Sequence, residues 1–530
     1  MRRWNGWGDD TFTYEIPEGA LHFLHQVLGA GTPPQDVTLS EMVALVPESR
    51  LPEHPLVTKA AEARVRHARG QSFPDWVEMR GGMLTTFPDG VAYPESGSEV
   101  QVLLEYARQE DVRLIPYGGG TSVVGHINPL PGERPTLTVD LERMNRLLYF
   151  DEISQLARFG AGVKGPDLEA QARARGCTLG HFPQSFEYST LGGWIATRSS
   201  GQQSLGYGRI EKLFAGGRME TPQGPLELPS HIPASAAGPD LREVVLGSEG
   251  RLGIITEATV RLSPLPEKEE FHAVFLPDFE SGRNAVRKIM QAGIPLSMLR
   301  LSTATETETT LAMAGHEFLI GGLEKYLALR GAGDEKVMLI VGLTGREDVV
   351  NAARGAAFNI TGQHGGVYAG QTFGKTWHKN RFRTPYLRNS LWDAGYAVDT
   401  LETATSWQRI PETVAAIEEA LRMALVHLDE FVHVFTHLSH LYPYGSSIYT
   451  QYIFRLAPEP EETLRRWRLL KAAASEAIVE QGGTISHQHG VGIDHLPYLP
   501  AEKGEVGMQA IQALAFACDP AGMMNPGKLY

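Results

Sequence analysis

The chain of 530 residues is predicted to be an α+β protein built from two folded regions, the second with an antiparallel sheet. Three observations lead there. Strand-like and helix-like segments alternate through residues 89–267 and stop at Pro264-Leu265-Pro266, a natural break. A second alternating run fills 268–455. The composition, 42% hydrophobic and 21% charged, is that of a chain able to bury a large core.

Residues 1–88 read as an irregular, partly helical lead-in, with the alanine- and arginine-rich Thr58–Gly70 expected to be helical. Ser96–Gln109 has helical apolar spacing. Strands are expected at Asp111–Pro116, Thr136–Asp140, Leu156–Gly162, Val244–Leu246 and Gly253–Leu262. Lys164–Arg175 is helical, with Pro166 suited to its first turn and Gly176 to its stop. In the second region, Ala273–Leu276, Lys336–Leu343, Val432–Phe435 and Ile448–Phe454 read as strands, and Gly282–Ala292, Glu347–Gly355 and Pro411–Leu425 as helices. Residues 456–530 hold a long helix, Glu461–Glu480, a dense His/Gly motif and a final helix, Gly504–Phe516.

Charge and composition exclude several classes. With 48 basic against 62 acidic residues the net charge is −14, which argues against nucleic acid as a partner but leaves room for a local basic pocket. Cys177 and Cys518 stand alone, so neither a four-cysteine metal site nor a disulfide framework is expected. No stretch reaches the roughly 18 apolar residues of a membrane span. Arg2-Arg3 precede no apolar run, and the chain ends without a peroxisomal tripeptide. A cytoplasmic protein is expected. Gly315–Arg330 is apolar enough either to face a membrane or to pack in a core.

Pro116-Tyr117-Gly118-Gly119-Gly120-Thr121-Ser122 follows a strand. Glycines let a backbone approach a ligand closely, and successive amides can converge on a pyrophosphate. A tight turn would use the same residues. The dinucleotide fingerprint fails because Val123 stands where its last glycine is needed. A Walker A loop fails because His126 stands where lysine is required. Two more segments rich in glycine and small polar residues follow. One runs from His181 to Gly201, the other from Gly247 to Glu257.

In order and spacing these three segments resemble the FAD domain of the vanillyl-alcohol oxidase / p-cresol methylhydroxylase superfamily, and within it the alkyldihydroxyacetonephosphate synthase family. The likeness includes the opening Trp4-Asn5-Gly6-Trp7-Gly8. It implies a two-subdomain FAD-binding domain of the vanillyl-alcohol oxidase type at 89–267 and an α+β cap, or substrate, domain at 268–455. The 456–530 segment would complete the active site. It implies non-covalent FAD, with Pro116, Tyr117, Gly118, Gly119, Gly120, Thr121 and Ser122 around the pyrophosphate. Gln184, Ser185, Phe186, Glu187, Tyr188, Ser189 and Thr190, with Thr197, Arg198, Ser199 and Ser200, would line the flavin and its ribityl chain. Glu249, Gly250, Arg251, Leu252, Gly253, Ile254 and Ile255 would complete the adenosine side.

Ser486-His487-Gln488-His489-Gly490 places two imidazoles around an amide, and histidine is the commonest general acid–base side chain. The synthase family carries three consecutive histidines here; Gln488 replaces the middle one and cannot titrate. Tyr449 aligns with the family's catalytic tyrosine. A phenol titrates near pH 10 and needs positive charge nearby to act as a base at neutral pH. Arg300 and Arg388 sit among apolar residues; the resemblance makes them active-site arginines, Arg388 being the stronger phosphate ligand. An arginine holds a phosphate or a carboxylate equally well. His433, His437 and His440 have metal-like spacing, but the segment reads as a strand and lacks a HExxH frame, so no metal is expected.

The resemblance thus implies an FAD-dependent alkyl transferase that replaces the acyl group of an acyl-dihydroxyacetone phosphate with a fatty alcohol, without net redox change. It leaves room for a homodimer and for peripheral contact with a membrane. The rival is an FAD oxidoreductase of a 2-hydroxy acid or alcohol. Enzymes of that kind carry a Gly-Asp-Gly-Asn motif where this chain has Tyr442-Pro443-Tyr444-Gly445-Ser446. A third reading is a flavin-binding protein without catalysis, against which Tyr449, His487 and His489 argue.

Overall fold

The computed structural model describes residues 1–313 and 317–530. Three main sheets organise it. In the first, Val57–Thr58, Gly90–Ala92, Thr136–Asp140 and Arg113–Tyr117 lie side by side, the last three strands parallel. The second is a five-stranded antiparallel sheet in the order Leu147–Asp151, Leu156–Gly160, Ile254–Arg261, Phe214–Thr221, Gly224–Leu228. The third is a seven-stranded antiparallel sheet drawn from residues 268–455. One apolar core fills the space around the first two sheets, running from Leu51 to Met524. Two others cover opposite faces of the third.

The helix Gly97–Gln109 shows how sequence sets these elements. Ser96 accepts the Glu99 amide as N-cap, and Val100, Leu103, Leu104 and Ala107 fall on one buried stripe. The parallel strand Arg113–Tyr117 follows and delivers the glycine loop at its C-terminal end. In the third sheet, Tyr396–Ser406 pairs with Gly445–Arg455 over its whole length, setting Glu402 opposite Tyr449 and Thr400 opposite Gln451.

Some expectations need correction. Val244–Leu246 is not a strand: Asp240 caps a single helical turn, Leu241–Val245, and only Val245 is buried in it. A three-residue apolar run has no period of its own, so cap chemistry decided. Within Thr58–Gly70 only Ala61–Arg66 is helical. The final helix starts earlier, Leu499–Cys518, and kinks at Gly504 (φ +67°). Of Gly315–Arg330, Gly315 and His316 lie outside the described residues. Glu317–Leu329 is a helix whose Leu327 packs with Leu311 and Met338. No helix among the described residues is long and apolar enough to cross a membrane.

Candidate active site

The glycine loop and the third sheet face each other across one large cleft, with about 1990 Å³ of empty space including its open mouth. Along one wall run Pro116 to Ser122, Gln184, Ser185, Ser189, Thr190, Thr197, Ser199, Ser200, Glu249, Gly250, Gly253 and Ile255. The other wall brings Arg388, Asp399, Thr400, Tyr449, Gln451, Gln488 and His489 together, with Trp7 and Gln71 from the N-terminal segment. Phe186, Glu187, Tyr188, Arg198, Arg251, Leu252 and Ile254, also expected at the cofactor, do not line the cleft. Phe186 stacks on Phe382, Tyr188 meets Tyr386 through their hydroxyls at 2.9 Å, and Arg198 pairs with exposed Glu243.

The loop fits an anionic, polar cofactor. Among the described residues, the amides of Gly118 to Ser122 find no acceptor. Gly119 has to be glycine, since a Cβ there would run into the Tyr188 carbonyl. Ser200 Oγ and Asn525 Oδ1, both on the cleft, are buried without partners. Five free amides, unpaired hydroxyl and amide groups and a long cavity match a dinucleotide such as FAD.

The His motif is held from two sides. Glu402, buried in the third sheet, accepts the amides of Gln488 (2.6 Å) and His489 (2.7 Å). Glu249, buried in the first region, accepts those of Val491 (2.6 Å) and Gly492 (2.8 Å). Gly490 lies between them, and a Cβ there would collide with His126 and Glu249. Of the two histidines, only His489 lines the cleft. It meets Tyr449 edge to face at 5.9 Å, and its Nδ1 lies 3.5 Å from Glu402.

His487 is turned into the protein. Arg209 donates to its Nε2 (2.6 Å) and to its carbonyl (2.9 Å), and Tyr442 Oη lies 2.7 Å from the same nitrogen. Guanidinium only donates, so Nε2 carries a lone pair and the proton sits on Nδ1. Burial, then Arg209, His440 and His489, hold this ring neutral well below the usual histidine range. Burial likewise pushes the Tyr449 phenol well above its usual value, with Glu402 and Asp399 adding to it, so Tyr449 keeps its proton at neutral pH.

The two arginines differ. Arg388 donates through Nη1 to the Gln71 carbonyl (2.6 Å) and stacks 4.1 Å over Trp76, while its buried Nη2 has no partner. Arg300 does not line the cleft. It pairs with buried Glu306 (2.7 Å) and lies 3.2 Å from His437, whose ring stacks on Tyr449 at 5.0 Å. His433 and His437 lie on a strand and serve Thr309 and Glu306.

Sequence reasoning missed Glu402, Arg209, Asp399, Gln451 and Trp7. None belongs to a short motif except Trp7, whose Trp4–Gly8 stretch carries the family likeness but no chemical signature in the sequence.

Comparison with known proteins places this geometry. The description "FAD binding domain" matches residues 88–227, and "FAD linked oxidases, C-terminal domain" matches 265–529. The chain is 34% identical over 477 residues to the alkyldihydroxyacetonephosphate synthase of Dictyostelium discoideum, covering 88% of this chain and 77% of that one. This chain belongs to the alkyldihydroxyacetonephosphate synthase family. A solved alkyldihydroxyacetonephosphate synthase superposes over 100% of this chain and 99% of its own, with a TM-score of 0.85 and 28% identity. p-Cresol methylhydroxylase shares the fold, with a TM-score of 0.68 at 15% identity over 94% of this chain and 98% of its own. As a member of the synthase family, the chain is an FAD-dependent enzyme with the two-domain α+β architecture of that fold.

Proposed function

We propose that this enzyme converts an acyl-dihydroxyacetone phosphate and a fatty alcohol into an alkyl ether and a free fatty acid. The exchange is balanced in electrons. The observation that carries the reading is the meeting of Arg388, Tyr449 and His489 in one cleft with the glycine loop. Arg388, charged and with Nη2 free, suits the phosphate. The protonated Tyr449 phenol suits donation to a leaving or carbonyl oxygen. His489, with Nδ1 turned to Glu402, has Nε2 left to take a proton from substrate. When bound, FAD supplies the electron-poor ring that takes up charge during the exchange. His487, clamped by Arg209, serves to set the loop. Arg300 serves to fix Glu306 and His437 behind Tyr449. Peripheral contact with a membrane suits substrates with long alkyl chains; this extension and a homodimer rest on kinship alone.

The matching description of the C-terminal half as that of FAD linked oxidases favours one second reading, oxidation of a 2-hydroxy acid or alcohol. Against it, the turn joining the two strands beside the cleft is Pro443-Tyr444, with no acidic side chain. The two readings differ in where electrons end. Mixed without oxygen with palmitoyl-dihydroxyacetone phosphate and hexadecanol, the protein should yield the ether by mass spectrometry with its flavin oxidised at the end. Absence of ether, with lasting bleaching by D-lactate, would overturn the transferase.

A further inference from the structure

The N-terminal segment folds back onto the cleft, where Trp7 lines its wall. Arg2 and Asp9 pair in a short bridge, and the turn between them carries Trp7 inward. Its placement is tightly specified. Asn389 accepts the Trp7 amide (3.1 Å) and donates to the Trp7 carbonyl (2.9 Å). Tyr188 packs edge to face on the indole at 5.7 Å. Trp7 lines the cleft, is only 8% exposed, and its buried Nε1 has no acceptor among the described residues. An indole N–H is a donor and nothing else, and a buried one normally finds a partner.

Its neighbours indicate which partner. Asn389, which fixes the Trp7 backbone, is next in sequence to Arg388. Gln71 links the same two stretches, donating to the carbonyl of Gly6 beside Trp7 (3.3 Å) and accepting Arg388 Nη1 (2.6 Å) on its own carbonyl. Arg388 Nη2 is the second buried donor on this wall with no acceptor. Two unpaired donors, one charged and one neutral, are thus braced by shared residues beside a single cavity.

We infer that Trp7 is a ligand-binding residue: its indole N–H and Arg388 together hold the anionic head group of the substrate. This rests on the proposed function for the identity of the head group, a phosphate, but its chemistry, two donors for anionic oxygens, does not. The N-terminal segment is then part of the active site and not only a brace between the two regions. Flavin oxygens are the other possible source of acceptors, and the experiment separates the two.

Trp7→Phe removes the donor and keeps an aromatic ring. Benzothienylalanine at position 7 keeps both rings and replaces N–H by sulfur, so it reports on the hydrogen bond even if the smaller ring disturbs folding. Each is scored for FAD content after purification and for binding of palmitoyl-dihydroxyacetone phosphate, followed through the flavin absorbance. Full FAD content with binding weakened about tenfold is expected for a lost hydrogen bond of ordinary strength. FAD retained with unchanged binding would overturn the inference, and FAD lost from the benzothienyl protein would assign the indole to the cofactor. If the unaltered enzyme ignores this substrate, the proposed function fails separately. The ¹⁵N-indole resonance of Trp7 then decides: a shift with inorganic phosphate or D-lactate upholds the anion site, and no shift overturns it.

Discussion

Arg388→Ala is the substitution on which the substrate reading depends most directly. In the folded protein the guanidinium is wedged over Trp76, tied by Nη1 to the Gln71 carbonyl and left with Nη2 free. Burial pulls its pKa down to about 10, against the pull of Asp399 and Asp75, which still leaves it charged at neutral pH. A charge-assisted contact to a phosphate contributes about 2–3 kcal/mol, so its loss should weaken binding about 30- to 150-fold. Arg388→Lys keeps a charge but loses the planar fork and should fall between the two. The assay is equilibrium titration of the bound flavin's absorbance with palmitoyl-dihydroxyacetone phosphate. It should be run well below the melting temperature, because loss of the stack on Trp76 also removes about 1 kcal/mol of stability. FAD content should not change. Equal affinity in the alanine variant would refute the phosphate role, and loss of flavin would move Arg388 into the cofactor site.

Two further outcomes follow from the buried histidines. Arg209→Met removes the guanidinium that donates to the His487 ring and carbonyl, leaving Tyr442 beside the ring, so the ring should titrate higher by ¹⁵N NMR, and stability should fall by about 2 kcal/mol, as for lost hydrogen bonds from a charged donor; a His487 titration unmoved by the substitution would show that Arg209 does not set its state. Burial pushes His181 down to about 3 and His433 down to about 4. Both stay neutral when folded but take up protons when unfolded below about pH 6.5. Their stability is therefore complete above that pH and is lost on acidification, by up to about 2 kcal/mol per ring between pH 6.5 and 5; a urea midpoint that stays flat over this range would contradict it.

How much of this was legible in the sequence depends on whether a feature is local. The glycine loop could be read because its function needs consecutive small residues on one turn, and free amides are a property of that turn alone. The strand and helix periods in 89–267 and 268–455 were likewise local, and Pro166 marked the first turn of its helix correctly. Glu402 was invisible, because a carboxylate between Leu401 and Thr403 on a strand looks like any exposed position. Only the third dimension shows it buried beneath the amides of Gln488 and His489. Arg209 lies some 280 residues from the histidine it orients and has no motif. The three-residue apolar run at Val244–Leu246 misled because it is too short to have a period, and the Asp240 cap decided it.

The pair of carboxylates around the His motif also bears on the unusual Gln488. Glu402 grips the first end of the loop and Glu249 the second, one from the seven-stranded sheet and one from the region that carries the glycine loop. Both grip backbone amides. The path of residues 488–492 therefore does not depend on which side chain stands at 488, so exchange of an imidazole for a carboxamide leaves the loop in place and changes only the chemistry offered to the cleft. The same arrangement sets His489 against Tyr449, since Glu402, which accepts the His489 amide, lies directly opposite Tyr449 on the neighbouring strand.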